Sequence, residues 1–557
     1  MNLRLTGILL AGLFLVTEAA PLAAASAPPP GDGPWVVRAH FTDREQVNRL
    51  AAERAPWSVD HQQRYLVIDV DRAGWHELVD MGFTVEVDEE RTADLLRPRV
   101  KLPGQVEGIP GFPCYRTVEE TYASARAIAR RNQQFATWTD IGDSWEKLTP
   151  GGLSGYDLKV LKLTNSAIPG PKPILIINAA IHAREYTTAE LVMRFAELLM
   201  DQYGDNADVT WFLDHQEVHL VLQANPDGRK KAEVGSLWRK NTNPSGCGSP
   251  SSWGIDLNRN YPYNWGCCGG SSGSPCSETY RGQSAASEPE TQAVRNYVVA
   301  TLPDHGDPSQ GPIPADAAGM FLDIHSYSEL VLWPWGYTTA VAPNGIALQT
   351  LGRKYAYFNN YFPMQSIYLY PTDGTTVDFA YGEPGVAAYT FELGTNFFQT
   401  CSYFENTVLP ENMPALLYAT RVTRAPYMLP AGPEALNVAT VPSGSVATGQ
   451  PLDVNATIND TRFSNANGTE PVQPIASAEV YLDTPPWSPG ATPVALSAAD
   501  GSFNTTVEAV TGTLSTAGWP IGRHTLYVRG RDAADNWGPV GAVFVDVVPV
   551  ELGLAVE

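Results

Sequence analysis

An α/β domain in the middle of the chain, its sheet covered by helices on both faces, is the fold class the sequence predicts, and three observations carry it. Short apolar strands recur between helical stretches from about residue 110 to 428, and strands that lack polar alternation are buried on both sides. The segment before them, 28–105, reads as a smaller α+β unit. The segment after them, 431–557, has no lysine and no cysteine and alternates in short strands between turn clusters, the pattern of an all-β, immunoglobulin-like or fibronectin-like sandwich. At 557 residues the chain is too long for one core and should hold about three or four domains.

Taken in order, residues 1–27 combine Arg4, an apolar run from Ile8 to Val16 and the small-residue stretch Ala23 to Ala27, the signature of a secretory signal peptide. A Pro/Gly linker, Pro28 to Pro34, leads into the α+β unit: strands at Trp35 to Phe41, Tyr65 to Val70 and Phe83 to Val87, helices at Asp43 to Arg54 and Gly74 to Met81. Arg97, Arg99 and Lys101 then sit in a Pro-containing stretch. Basic residues in an extended linker are a proteolytic target, so 28–105 is expected to be a pro-segment removed by an activating protease.

In the middle domain, 110–428, Thr117 and Glu120 form a capping box ahead of Tyr122 to Ile128. Strands are expected at Leu158 to Leu163, Ile174 to Asn178, Glu217 to Leu222, Met320 to His325 and Ala387 to Glu392. Thr187 and Glu190 read as a second capping box, opening a helix to about Gln202. Within 431–557, strands are expected at Leu452 to Ile458, Ala478 to Leu482, Ser502 to Val507, His524 to Arg531 and Ala542 to Val548.

A formal net charge of −23 argues against nucleic acid and anionic membrane as partners, since both need basic surface. No stretch after the signal is apolar enough to span a bilayer, so a secreted, soluble protein is expected, and a monomer. Export permits disulfides among Cys114, Cys247, Cys267, Cys268, Cys276 and Cys401. Four of them crowd into a Gly/Ser-rich stretch without a zinc-type C-x-x-C and read as a stapled loop.

The chemistry concentrates at His182-Ala183-Arg184-Glu185, just after the apolar run Ile174 to Ile177, and at His325, which ends Met320 to Ile324. Two nitrogens and one carboxylate oxygen from strand ends suffice for a catalytic zinc with an open fourth position. An isolated H-x-x-E is a weak signal, and neither H-E-x-x-H nor H-x-x-E-H is present, Tyr186 standing where the latter needs histidine. A third ligand must come from afar. His215 and His219 flank a strand and read as surface or hydrogen-bonded core, which leaves His325 the best placed.

The stretch from about Tyr115 to Tyr427 resembles the zinc carboxypeptidases of the pancreatic carboxypeptidase A type, above all their secreted bacterial branch, carboxypeptidase T. The resemblance rests on Ile181 to Glu185, Ala224 to Gly228, Leu237 to Asn241, Asp256 to Asn260, Ser277 to Gly282, His325 to Ser328 and Thr390 to Leu393. It implies the family's fold, a mixed sheet flanked by helices, and one zinc held by His182, Glu185 and His325. Glu392 matches the family's general base and proton shuttle, and Arg239 the residue that stabilises the oxyanion. Asn258 and Arg259 match the clamp on the substrate's free carboxylate, Tyr370 the tyrosine that closes over it, and Arg184 a secondary substrate contact. Ser326 and Tyr327 belong to the same substrate-binding set. Calcium can accompany zinc in such secreted enzymes; no calcium loop motif stands out.

In the basic-specific members an aspartate occupies the place of Val377, and the bacterial branch carries an acid at the place of Thr375. Both positions are uncharged here, so hydrophobic or aromatic C-terminal residues are the expected substrates. The alignment around Gln365 leaves that wall of the pocket open. Cys114 and Cys401, near opposite ends of the domain, are expected to pair, and pairing among the other four stays open. The resemblance thus implies a zymogen of a zinc metallocarboxypeptidase acting on peptides and proteins. A cell-wall peptidase of the same fold is the alternative reading, with a decayed, inactive adhesion protein behind it; intact ligands, base and clamp speak against the latter.

Overall fold

The computed structural model describes residues 27–149, 154–244 and 246–550. The expected signal segment up to Ser26 lies outside the described residues. The described chain forms two compact units, one of 27–46 with Asp60–Leu96, the other of Val47–Val59 with the chain from Arg97 onward.

In the first unit, strand Trp35–His40 pairs antiparallel with Tyr65–Val70 on one side and with Thr84–Val87 on the other. Helix Arg72–Asp80 starts two residues earlier than the apolar pattern suggests, because the Asp71 carboxylate caps it by accepting from Gly74 N. Its Trp75 meets Trp35 edge to face at 6.1 Å.

The second unit contains an eight-stranded mixed sheet. Its order is Phe362–Gln365, Leu330–Trp333, Ala387–Glu392, Met320–His325, Ile174–Ala179, Glu217–Val221, Asp157–Leu163 and Ala136–Asp143. The four central strands, Ala387–Glu392 to Glu217–Val221, run parallel. All six residues of Met320–His325 are buried, as a strand covered on both faces must be. The strands the pattern missed lie at or next to the edges: Ala136–Asp143 is largely polar and half exposed, and Phe362–Gln365 at the other edge and its neighbour Leu330–Trp333 are four residues each. Helix Val118–Arg131 carries the complete Thr117/Glu120 capping box.

The second expected capping box is absent. Helix Tyr186–Gln202 begins at N-cap Glu185, whose side chain makes no cap bond. Glu190 pairs with Arg116 and Arg194 instead, and Thr188 Oγ1 donates to Glu185 O and accepts from Ala180 N. The carboxylate at the helix start is turned away toward His182.

Beyond Leu429 eight strands between Glu434 and Val548 form an all-β region. Strand Val494–Ala498 bridges two halves of the sheet, and Leu452, Val454, Ile458, Val480, Leu526, Val528 and Val545 share one core. The strand expected at Ser502 to Val507 lies instead at Val507–Ser515. Residues 502–505 turn, because Asp500 accepts from Ser502 N and Glu508 from Asn504 N and Thr505 N. Buried ion pairs tie this region to the mixed-sheet part: Arg353 to Glu470 at 2.6 Å and Lys354 to Glu434 at 3.1 Å.

Three disulfides join Cys114 to Cys401, Cys247 to Cys276 and Cys267 to Cys268. No helix among the described residues is long and apolar enough to cross a membrane.

Candidate active site

The C-terminal ends of the central parallel strands bring distant residues together, the usual place for a site in such sheets. Strand Met320–His325 ends on His325, its parallel neighbour Ala387–Glu392 ends on Glu392, and His182 follows the next strand through Ala180, which takes a left-handed φ of 56°. His182 Nδ1 lies 2.7 Å from Glu185 Oε1, His325 Nδ1 lies 3.3 Å from Glu185 Oε2, and the two Nδ1 atoms are 3.1 Å apart. All three residues are buried.

The far nitrogens show what these near ones want. His182 Nε2 is 3.1 Å from Asp256 Oδ1 and His325 Nε2 is 2.9 Å from Asp323 Oδ2, so each ring has a carboxylate to hold a proton on its outer nitrogen. That leaves both Nδ1 lone pairs and the Glu185 carboxylate facing one point, more acceptors than local donors supply. A divalent cation satisfies such a set, and two imidazoles with one carboxylate suit zinc. Against the cost of burial, His182 and His325 hold Glu185 well below the ordinary carboxylate range, so its carboxylate stays charged at that point.

Asp256 and Asp323 carry this outer layer of support for the two histidines. Asp323 is two residues before His325 on a strand, so period-two alternation puts both on one face; that spacing is the signal the sequence holds. Asp256 serves two residues at once, accepting from Arg239 Nε at 3.1 Å and Nη2 at 2.9 Å as well as facing His182.

One cavity of about 70 Å³ is lined by His182, Glu185, His325, Glu392, Arg239, Asn258, Arg259, Ser326, Tyr327, Tyr370 and Val377. Burial, partly offset by His325 and reinforced by Glu185, pushes Glu392 up to about 8. Arg259 is fixed from behind: its Nε donates to Gly270 O at 3.0 Å and its Nη1 to Asn258 O at 2.7 Å. Asn258 Oδ1 accepts from Thr376 N at 2.9 Å, and its Nδ2 lies 3.3 Å from His325 Nε2. Ser326 N donates to Glu185 Oε2 at 3.1 Å.

Arg184 stands apart from the other expected residues. It is 1% exposed, packs under the Phe397 ring at 4.2 Å and reaches Glu278 at 3.7 Å, and it does not line the cavity. Phe397 does. Gln365 also faces elsewhere, donating from Nε2 to the carbonyls of Trp335, Thr338 and Ala340; Leu332, Ser366 and Leu369 form the wall in its place. His219 is a buried, hydrogen-bonded histidine between Tyr297 and Glu217.

Comparison with known proteins gives one answer. Residues 121–412 match the zinc carboxypeptidase family, peptidase M14. Carboxypeptidase A1 of Rattus norvegicus is 31% identical over 293 residues, which cover 51% of this chain and 63% of the rat protein. A zinc carboxypeptidase of Saccharothrix mutabilis subsp. capreolus is 31% identical over 296 residues, 51% of this chain and 62% of its own length. The chain therefore spans a little under two thirds of these relatives. Among solved structures, carboxypeptidase A from Helicoverpa armigera superposes with a TM-score of 0.56 at 21% identity over 71% of this chain and 98% of that one, and thrombin activatable fibrinolysis inhibitor with 0.54 at 21% over 71% and 99%; these likenesses establish the fold. The matched family, the His-Glu-His triad and the shared fold agree, and this chain belongs to the zinc carboxypeptidase family.

Proposed function

We propose that the chain is a secreted zinc metallocarboxypeptidase, made as a zymogen, that releases hydrophobic or aromatic residues from the C-terminus of peptides and proteins. The observation that carries the reading is the single cavity in which the metal triad, Glu392, Arg239 and the Asn258/Arg259 pair face the same space. Zinc held by His182, Glu185 and His325 supplies Lewis acidity and lowers the pKa of a water nucleophile. Glu392, which lines the cavity beside the triad, is placed to take a proton from the attacking water and pass it to the leaving amine. Arg239, locked by two N–H groups on Asp256, is ready for negative charge growing on the carbonyl oxygen and needs no reorientation to meet it. Arg259 points the rest of its planar guanidinium at the cavity, a shape suited to a carboxylate. That makes the substrate's chain end the point of recognition. Val377 and Thr375 leave the side-chain end of the pocket without charge, which supports the hydrophobic preference.

The zymogen reading is supported from the N-terminal side. Pro56, Trp57 and Ser58 line the same cavity, Trp57 meets Phe397 at 5.4 Å, and Ala55 N donates to Glu278, the partner of Arg184. Residues 47–59 thus occupy ground that a peptide would need. Arg97 and Lys101 are exposed for an activating protease. The test is to compare the full chain with protease-trimmed, zinc-loaded protein on blocked dipeptides ending in Phe, in Arg and in Phe-amide. Fast release of Phe by the trimmed form alone is expected, and cleavage of the amide at a comparable rate would overturn the exopeptidase reading.

A further inference from the structure

A second cavity, of about 250 Å³, lies where the all-β region meets the mixed-sheet part, within the second compact unit. Helix Ala207–His215 and residues 421–429 form one wall, and residues 486–487 and 537–540 form the other. Its surface is mostly apolar: Trp211, Trp487, Trp537 and Met428 contribute indole and thioether faces, and Arg424 and Arg529 contribute guanidinium. Ligand sites for drug-sized molecules run to roughly 300–1,000 Å³, so this one suits a smaller body of one aromatic ring system.

The three arginines around it are not equivalent. Arg421 is neutralised by Asp208 and also donates to Val540 O. Arg529 pairs with Glu479 at 3.2 Å and donates to Tyr481 Oη at 2.7 Å. Arg424 has no carboxylate partner among the described residues. It lies over the Trp487 ring at 4.5 Å, donates from Nη2 to His215 O at 3.3 Å, and its buried Nε has no hydrogen-bond partner at all. Asp316 lines the cavity too but is exposed and makes no ion pair with Arg424. With burial unopposed by any nearby anion, the guanidinium is pushed down to about 10.

An unpaired, partly buried guanidinium on an aromatic wall is costly in the empty cavity, and a planar anion repays it with charge-assisted, bidentate hydrogen bonds. A single cationic group calls for a single negative charge, and the indole walls call for an apolar, flat body. We infer that this inter-domain cavity is a binding site for a small aromatic monocarboxylate, with Arg424 taking the carboxylate and Trp211, Trp487 and Trp537 enclosing the ring.

Such a carboxylate could belong to a free amino acid, to a peptide end or to a non-amino acid, and the probes separate these: indole-3-acetate, tryptophan and N-acetyltryptophan, with indole-3-acetamide as the neutral control. Binding is measured by calorimetry on the full-length, zinc-loaded protein, and kcat, KM and competition on a blocked dipeptide are measured on its protease-trimmed, zinc-loaded form. Indole-3-acetate is expected to bind at least about tenfold more tightly than its amide, the scale of one charge-assisted pair, without competing with substrate. Arg424→Met should weaken the acid by about tenfold or more, leave the amide where it was, and leave kcat and KM unchanged; Arg424→Lys should fall between. Tryptophan binding more tightly than its N-acetyl form would point to free amino acids, and the reverse order to peptide ends or other blocked acids. Equal affinity for acid and amide in the unmodified protein overturns the proposal, as does binding that Arg424→Met leaves intact. Competition with substrate would place the ligand in the active site and overturn it as well. The acid-to-amide ratio needs no variant, so poor folding of either substitution leaves the proposal testable.

Discussion

Glu392 and His325 are register partners at the ends of adjacent parallel strands. The proposed metal ligand and the expected base are thereby spaced by backbone pairing, about 4.8 Å between strands, with no loop to adjust.

That rigidity makes the roles separable by substitution. Glu392→Gln keeps size and shape but cannot accept a proton. Turnover of a blocked dipeptide should fall by about 10²–10⁴ in kcat, while the zinc content of the purified protein stays at that of the parent. Retained turnover would sink the assignment.

Asp256 supports both His182 and Arg239. Asp256→Asn should lower zinc affinity by about 10–100-fold, the usual cost of losing an outer partner of a ligating histidine. It should also lower kcat, because Arg239 loses its anchor. Competition with a chelator of known affinity reads the first effect, and steady-state kinetics on zinc-saturated protein reads the second.

Arg259→Met removes the planar cation while retaining apolar bulk. KM for peptides with a free C-terminus should rise by at least about tenfold. The advantage of free-acid over amidated substrates should shrink correspondingly. A variant that still discriminates as sharply as the parent would place chain-end recognition elsewhere.

Glu290 is buried; its Oε1 accepts from Trp145 N at 2.7 Å, and its Oε2 shares Asn241 Nδ2 with Glu288. Burial first, and the Glu288 charge after it, push its carboxyl up to about 8 from 4.5. Folding therefore takes up a proton between those values. The stabilisation is complete below pH 4.5 and is lost as pH rises through 8. Scanning calorimetry at pH 5.5 and 8.5 should show a larger drop in Tm for the parent than for Glu290→Gln, by a few degrees. An equal drop in both proteins would show that Glu290 does not carry the proton.

The sequence was most readable where periodicity and chemistry coincide. Met320–His325 and Ala387–Glu392 were delimited to the residue, since a run of buried apolar residues ends where a polar functional one must face the site. Helix Tyr186–Gln202 was misread at its start: Thr187 and Glu190 have capping-box spacing, but the tertiary demand on Glu185 sets the N-terminus and Glu190 is drawn to Arg116. Arg184 matched a motif and yet lies beneath Phe397, because a motif gives residue type and order but not which neighbour covers it. The vicinal pair Cys267–Cys268 and its partner staple Cys247–Cys276 could not be told from spacing; four cysteines admit three pairings, and only the folded loop selects one.

Every cysteine of the chain stands at or after position 114, and all are paired with one another. A cut anywhere in the basic linker at Arg97 to Lys101 would consequently leave the N-terminal portion with no covalent hold on the rest. Its departure would be governed by dilution: a liberated fragment becomes a diffusing solute that must find its way back by mass action. Under the zymogen proposal such a cut would be one-way in a large volume and reversible in a confined one, so dilution itself would help to set how long the catalytic part stays covered.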